Sequence, residues 1–314
     1  MRTGREVGSV VVVGNPRARK VRGPWRREVE RGFGPSARLE FIEAGDRPGL
    51  EWLAREVAPA RDRLLVVAGG DGSVSWVVNA LGPAPAVLGL LPLGTANDLA
   101  RALALPQALG DVIARIRGGR RRRCDLLSVN GRRLCTVGGI GVAADSALAA
   151  QSLRGADQPL LRWAVGRAGL HAYWLAAAAK VLDAGPADRF DVRLRCAGAA
   201  DQQSFSVDAH AIFVANQATF GGRLCISPAS RNDDGVFELC ILPACSRGAL
   251  VETLGRLVAG LRIPASMITV IPATWAQVTC HRPTRFFGDG EALGAPCDRF
   301  EIGVQPGALE VVGA

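Results

Sequence analysis

The feature that most constrains this chain is a repeated join in its first hundred residues. A run of branched apolar residues ends on a glycine- or proline-containing turn, and a helix-compatible stretch follows. Val7–Val13 runs into Asn15-Pro16; "DRLLVVAGGDGS" carries the run into Gly69, Gly70, Asp71, Gly72 and Ser73; "AVLGLLPLGTAND" ends on a second glycine turn. Continuous β-branched runs of this length are strands buried on both faces. Between them lie a polar stretch over residues 24–32, a further strand in "ARLEFIEA", and Pro48–Ala58, where Leu50, Leu53, Ala54 and Val57 share one helical face. Val74–Leu81 and Asp98–Leu105 read as the helices after the two glycine turns. Strand alternating with helix predicts a parallel, Rossmann-like sheet with both faces covered.

The texture changes near residue 120. "GGRRRRCDLLSV" and "RRLCTVGGIGV" read as short strands at hairpin spacing, residues 157–183 as a helical interruption, and "SRGALVETLGRLVAGL" as a helix. "RFDVRLRCAG", "SFSVDAHAIFVAN", "VFELCILP", "ITVIPATWAQVTC" and "RFEIGVQPGALEVV" alternate as strands do. The expected organisation is an α/β nucleotide-binding domain over residues 1–122 and a mostly antiparallel β-sandwich over 123–299. The tail, about 300–314, packs back on the first domain.

Composition narrows the function classes. The 314 residues are 48% hydrophobic and 21% charged, which suits packed domains and not disorder. The net charge of +9 comes from arginine: only Lys20 and Lys180 are lysines. Codon usage in a GC-rich genome explains such a bias; a basic face for an anionic membrane or for phosphates is the alternative. No nucleic-acid-binding signature accompanies the charge. Eight cysteines at irregular spacing, with no CxxC, predict reduced, buried thiols. "LHAYWLAAAAKVLDAG" is interrupted by His171 and Lys180 and falls short of a membrane span. The expected place is the cytoplasm, with peripheral attachment at the inner face of the membrane. Trp163, Tyr173 and Trp174 could belong to a lipid-contacting helix face or to core packing. His210 reads as a satisfied core or interface histidine.

The two glycine turns carry the chemistry. Glycines let a backbone approach phosphate oxygens, their N–H groups form a nest, and the following helix adds its dipole. An acid among them would repel bare phosphate, so Asp71 points to a cation between, as in Mg²⁺-nucleotide. The second turn, "PLGTANDLARAL", puts Gly94, Thr95 and Asn97 at the carboxyl end of a strand, where open α/β sheets bind ligands. Gly-Gly-Asp-Gly is also ordinary turn composition, and Asn97 or Asp98 also reads as a helix cap. The pairing of the two turns is what neither alternative explains.

"GGDGS" with "PLGTANDLARAL" resembles the diacylglycerol kinase catalytic family, whose relatives include sphingosine and ceramide kinases and bacterial lipid kinases. "VVVGNPRARK", "DRPG" at Asp46–Gly49, "FVANQATFGGRLCISPASRNDDGVFELCIL" and "FFGDGEAL" follow in the family's order. The resemblance implies two domains, ATP and Mg²⁺, and phosphoryl transfer to a lipid hydroxyl at a membrane surface, the nucleotide lying between the domains. It places Asn15, Gly70, Asp71, Gly72, Ser73, Thr95 and Glu291 around nucleotide and metal. It makes Asp289 or Asp71 the general base, and matches Asp234, with the carbonyls of Arg231 and Val236, to a structural Mg²⁺ site. Phe286 and Phe287 beside Asp289 favour a raised carboxylate pKa, and so Asp289 as the base. Ser73 stands where the family usually has Thr, and Trp76 where it usually has Glu. Two other readings are a nicotinamide-nucleotide kinase, which shares the Gly-Gly-Asp-Gly turn, and a non-catalytic lipid- or nucleotide-binding relative.

Overall fold

In the computed structural model the described residues are 9–14, 25–35, 37–43, 47–57, 63–83, 86–154, 178–183 and 185–314. The chain forms two compact units, Met1–Leu126 with Pro306–Ala314, and Leu127–Gln305.

The first unit is built on strands β1 (Ser9–Gly14), β2 (Arg38–Glu43), β3 (Arg63–Gly69) and β4 (Ala86–Pro92). They lie parallel in the order β4-β3-β1-β2. The end of the last strand of the chain, Leu309–Val312, adds parallel to β4 at Ala86–Gly89. The branched runs become strands because both faces are covered: Val10 to Val13 and Val66 are fully buried. Helices α1 (Trp25–Phe33), α2 (Arg47–Trp52), α3 (Asp71–Ala80), α4 (Asp98–Ala102) and α5 (Leu109–Arg117) complete the unit. Trp25, Val29 and Phe33 of α1 and Val112, Ile113 and Ile116 of α5 pack in one core cluster with β1 and β3. The single helix read over Pro48–Ala58 is α2 followed by a π-helical turn at Leu53–Val57. The helix after the first glycine turn begins at Asp71, three residues before the apolar pattern shows it. In the order β2-β1-β3 the chain leaves β1 for opposite edges in turn, so β1 and β3 flank the topological switch point, and ligands of open α/β sheets bind at the carboxyl ends there.

The second unit is antiparallel, with a β-sandwich-like architecture. After β5 (Arg121–Val129), which starts in the first unit, and β6 (Arg132–Leu134) come β7 (Val137–Gly141), β8 (Asp188–Cys196), β9 (Gln202–Ala215), short β10 (Thr219–Phe220) and β11 (Leu224–Cys225), and β12 (Phe237–Pro243). Two long strands, β13 (Thr269–Gly288) and β14 (Glu291–Val312), close it. β9 pairs with β7, β8 and β12, and β13 pairs with the same three. Period-two alternation splits β12 between two cores. Phe237, Leu239 and Ile241 face one cluster with Phe190, Phe286 and Phe300. Cys240 faces another with Val137, Phe213 and Leu257. Helices α6 (Val142–Arg154) and α7 (Arg247–Val258) belong to this unit. The sequence reading placed its helical interruption at 157–183 and missed α6, whose alternating small residues carry little apolar pattern. Residues 178–182 are helical, while Trp163, His171, Tyr173 and Trp174 lie outside the described residues.

All eight cysteines are free thiols; Cys124, Cys135, Cys240 and Cys280 are buried and the other four half-buried. Burial pushes the Cys280 thiol up to about 12. No helix among the described residues is long and apolar enough to cross a membrane.

Candidate active site

Each unit holds one of the two acidic turns, and in both the carboxylate grips consecutive backbone amides of a neighbouring segment. In the first unit β3 ends at Gly69 and Gly70 becomes the N-cap of α3, with no side chain capping that helix. The second glycine turn docks on the first through main-chain bonds from Leu93 N and Gly94 N to Gly69 O, 3.0 and 3.2 Å. The approach is too close for any side chain. A Cβ on Gly94 would lie 2.4 Å from Gly70 Cα and 2.7 Å from Asn97 Oδ1. Asn97 adopts the left-handed conformation (φ 52°), which Asn tolerates better than most residues. Its side chain stitches the turn: Oδ1 accepts from Gly94 N at 2.9 Å, and Nδ2 donates to Pro92 O and Gly94 O, both at 3.1 Å.

Asp71 reaches from the first turn to the second. Its Oδ2 accepts from Asp98 N and its Oδ1 from Leu99 N, both at 3.0 Å. It caps the start of α4 from the other turn and locks the two turns together. Burial pushes its carboxyl up, while the amides of Leu99 and Asp98 pull the other way. Ser73 is buried, Trp76 half-buried and Thr95 exposed. The sequence foresaw Gly69, Gly70, Asp71, Gly72, Ser73, Gly94, Thr95 and Asn97, and the fold gathers them at these two touching turns. Asn15 lies outside the described residues.

In the second unit Asp289 and Gly290 form the two-residue turn joining β13 to β14, closed by the Gly288–Glu291 pair. Both have positive φ, 51° and 88°, as a type I′ hairpin requires. Asp289 is 3% exposed. Its Oδ2 accepts from Cys135 N at 2.9 Å; its Oδ1 accepts from Thr136 N at 2.9 Å and from the Thr136 hydroxyl at 2.7 Å. Asn216 Nδ2 donates to Cys135 O at 3.0 Å, so the tip of the β13–β14 hairpin, the approach to β7 and the end of β9 form one network. Cys135 and Thr136 read in the sequence only as part of a short strand. Nothing in their local pattern marks them, because their role is set by a residue some 150 positions later.

The Asp234 turn is built differently. Asp234 Oδ1 accepts from Val236 N at 3.1 Å, while the Arg231 guanidinium pairs with Asp233 at 3.0 Å. Among the described residues no group of three or more His, Cys, Asp or Glu side chains gathers as a metal cluster. His210 is buried on β9 with Nε2 3.2 Å from Cys245 O, as a satisfied core histidine is.

Behind Phe287, two residues before Asp289, lies an apolar cavity of about 70 Å³, with Val137, Phe213, Phe220, Val181 and Leu250 in its wall. No sequence pattern announced it, since its wall is drawn from strands and helices far apart in the chain.

The diacylglycerol kinase catalytic domain model matches residues 9–129, and the model of the YegS C-terminal NAD kinase beta sandwich-like domain matches residues 162–313. A Pseudomonas fluorescens protein named probable lipid kinase YegS-like is 31% identical over 86% of this chain and 82% of its own length. The chain belongs to the YegS-like lipid kinase family. A Pseudomonas aeruginosa protein of the same name is 30% identical over 82% of this chain and 79% of its own length. The diacylglycerol kinase of Bacillus subtilis is 27% identical over 77% and 75%. A crystal structure of a diacylglycerol kinase from Bacillus anthracis shares the fold, with TM-score 0.65 at 19% identity over 97% of this chain and 96% of that one. Membership makes the chain a kinase, a phosphotransferase of the class with an alcohol group as acceptor.

Proposed function

We propose that this lipid kinase transfers the γ-phosphoryl group of ATP to the hydroxyl of a diacylglycerol or sphingoid-like lipid. The observation that carries the reading is the apolar cavity whose wall includes Phe287, two residues from the Asp289 carboxylate. An apolar space reached by the strand that ends on this buried acid suits a hydroxyl carried on a hydrocarbon chain.

The residues present fit a nucleotide. The first turn of α3 follows Gly70 with no side-chain cap, so the positive end of the helix dipole faces the place a phosphate would take. Gly70, Gly72 and Gly94 keep side chains out of that approach. ATP would supply the phosphoryl group, and a Mg²⁺ bound with it would supply charge neutralisation at its phosphates. That mode needs no all-protein cage. Asp71 contributes by holding the second turn against the first. The Asp234 turn remains the place to seek a structural Mg²⁺.

Asp289 acts as the base in this reading. A lipid hydroxyl has a pKa far above neutrality, so its proton must leave as the new bond forms. The Thr136 hydroxyl, 2.7 Å from Oδ1, already donates as the acceptor hydroxyl would. The acceptor takes over that donation and its proton passes to Oδ1. The amides of Cys135 and Thr136 hold the carboxylate in place through the step. The test is turnover of labelled ATP against a panel of diacylglycerol, sphingosine, ceramide and NAD. Asp289→Asn should keep ATP affinity and lower kcat by ~10²–10⁴, the usual worth of a general base. Turnover on NAD alone, or full turnover by Asp289→Asn, would refute it.

A further inference from the structure

The cavity behind Phe287 is too small for the ligand just assigned to it. An apolar cavity of about 150 Å³ takes a benzene molecule. At about 70 Å³ this one takes far less than an acyl chain, so a bound chain must enlarge it. A second space lies in the same unit: a more open pocket of about 310 Å³ bordered by Pro186, His210, Cys245 and Arg247. Leu250 is the one described residue in the wall of both.

The position of Leu250 is well defined. Ser246 caps α7, its hydroxyl accepting from Ala249 N at 3.3 Å, so Leu250 sits on the first turn of a pinned helix. It is 2% exposed and packs with Val181 in a small cluster that also touches Val142, Leu242 and Leu254. That cluster meets the larger core that holds Phe213 and Leu257 at Leu242. Leu250 therefore stands where the apolar cavity and the second pocket meet. Its rotation, or its removal, joins the two.

We propose that Leu250 is the gate between the acceptor cavity and this second chamber, and thereby sets the acyl length the enzyme accepts. The proposal rests on the lipid-acceptor reading above. A chain that ends in front of Leu250 stays within the apolar cavity. A longer one must displace the leucine and emerge beside His210, whose Nε2 is occupied by the Cys245 carbonyl, and beside the exposed Arg247. Each methylene taken fully out of water favours binding about four-fold, and a methylene beyond the gate gains less. Acceptor efficiency should therefore climb with chain length and then level off at the gate.

The experiment measures kcat/KM on diacylglycerols with one chain fixed and the other lengthened by two carbons at a time. The unprimed protein is also melted with each lipid in the absence of ATP. Leu250→Ala should carry the rise at least two carbons further, shifting preference toward the longer substrate by about ten-fold or more, since two methylenes at about four-fold each set that scale. Leu250→Phe should stop the rise earlier, and the melting shifts should follow the same order. If Leu250→Ala does not fold, Leu250→Phe alone decides. Ala211→Leu, which fills the cavity from β9, separates the two claims. Loss of lipid turnover in that folded variant, with an unmoved levelling point in both Leu250 variants, overturns the gate and leaves the acceptor reading standing. Unchanged lipid turnover in Ala211→Leu overturns both.

Discussion

Three carboxylates show how context decides what an acid does. Asp71 and Asp289 each accept from two successive backbone amides, so each serves the architecture before it serves chemistry. Replacing Asp71 by Asn keeps the shape but turns an NH₂ donor toward an N–H donor, which should cost ~1–3 kcal/mol of stability. Chemical denaturation of the variant checks this, and unchanged stability would show that the carboxylate is not gripping α4. Glu238 is the contrasting case. It is 6% exposed on β12 and its Oε2 has no hydrogen-bond partner. Burial pushes its carboxyl above the ordinary 4.5; the Ser230 hydroxyl opposes the rise and Asp234 adds to it. A raised folded-state pKa means that the native state holds the proton longer than the unfolded chain does. The contribution of this group to stability is therefore present in full below about pH 4.5 and is lost as pH rises through the folded pKa. Glu238→Gln removes that loss. Its stability relative to the parent should improve steadily from pH 4.5 toward neutrality, and parallel stability curves would contradict the assignment.

At the scale of elements, the decisive contact is glycine against glycine. A Cβ on Gly94 meets backbone at 2.4 Å, which no rotamer change relieves. Gly94→Ala should force the turns apart, cost at least ~1–3 kcal/mol, and weaken ATP binding by calorimetry more than Thr95→Ala does. Equal ATP affinity in the two variants would mean that the turn contact is irrelevant to the nucleotide. These turns were legible in the sequence because glycine clusters at strand ends are local signals. The parallel sheet was legible for the same reason: branched runs such as Val10–Val13 report burial on both faces without reference to anything distant. What stayed hidden depends on long-range pairing. Asp71 was expected to face a metal, and its spacing gives no hint that it reaches Asp98 and Leu99. Asp289 could be placed on a Gly-Asp-Gly turn, yet its partners Cys135 and Thr136 come from a strand approach with no pattern of its own. α6 hid because a helix of alanine and serine has almost no amphipathic signature.

At the scale of the whole molecule, the unexplained quantity is charge. A net +9 made almost entirely of arginine either reflects composition alone or performs work at an anionic surface. One segment favours the second. Arg120 to Arg123 run together into β5, and Arg121 and Arg123 lean on a single carboxylate, Glu310, at 2.7 and 3.5 Å. Four consecutive guanidinium groups make that segment a concentration of positive charge, and Arg123 stays 79% exposed despite its pairing. A kinase acting on lipid must meet its acceptor where lipid is, and no helix among the described residues is long and apolar enough to anchor it by spanning. Electrostatic attraction is the force this segment can supply, worth ~1 kcal/mol for each basic residue near an anionic leaflet. We therefore expect the protein to pellet with vesicles containing phosphatidylglycerol at low ionic strength and to stay in solution with pure phosphatidylcholine. Raising salt toward ~1 M shrinks the Debye length to about 3 Å and should release it. Arg120→Glu combined with Arg122→Glu reverses charge while leaving both partners of Glu310 in place, and should abolish pelleting without lowering turnover on a water-dispersed short-chain acceptor. If that variant pellets like the parent, the arginines are composition and not a docking face. If turnover on the dispersed acceptor falls with pelleting, the segment belongs to the reaction site and not to membrane attachment.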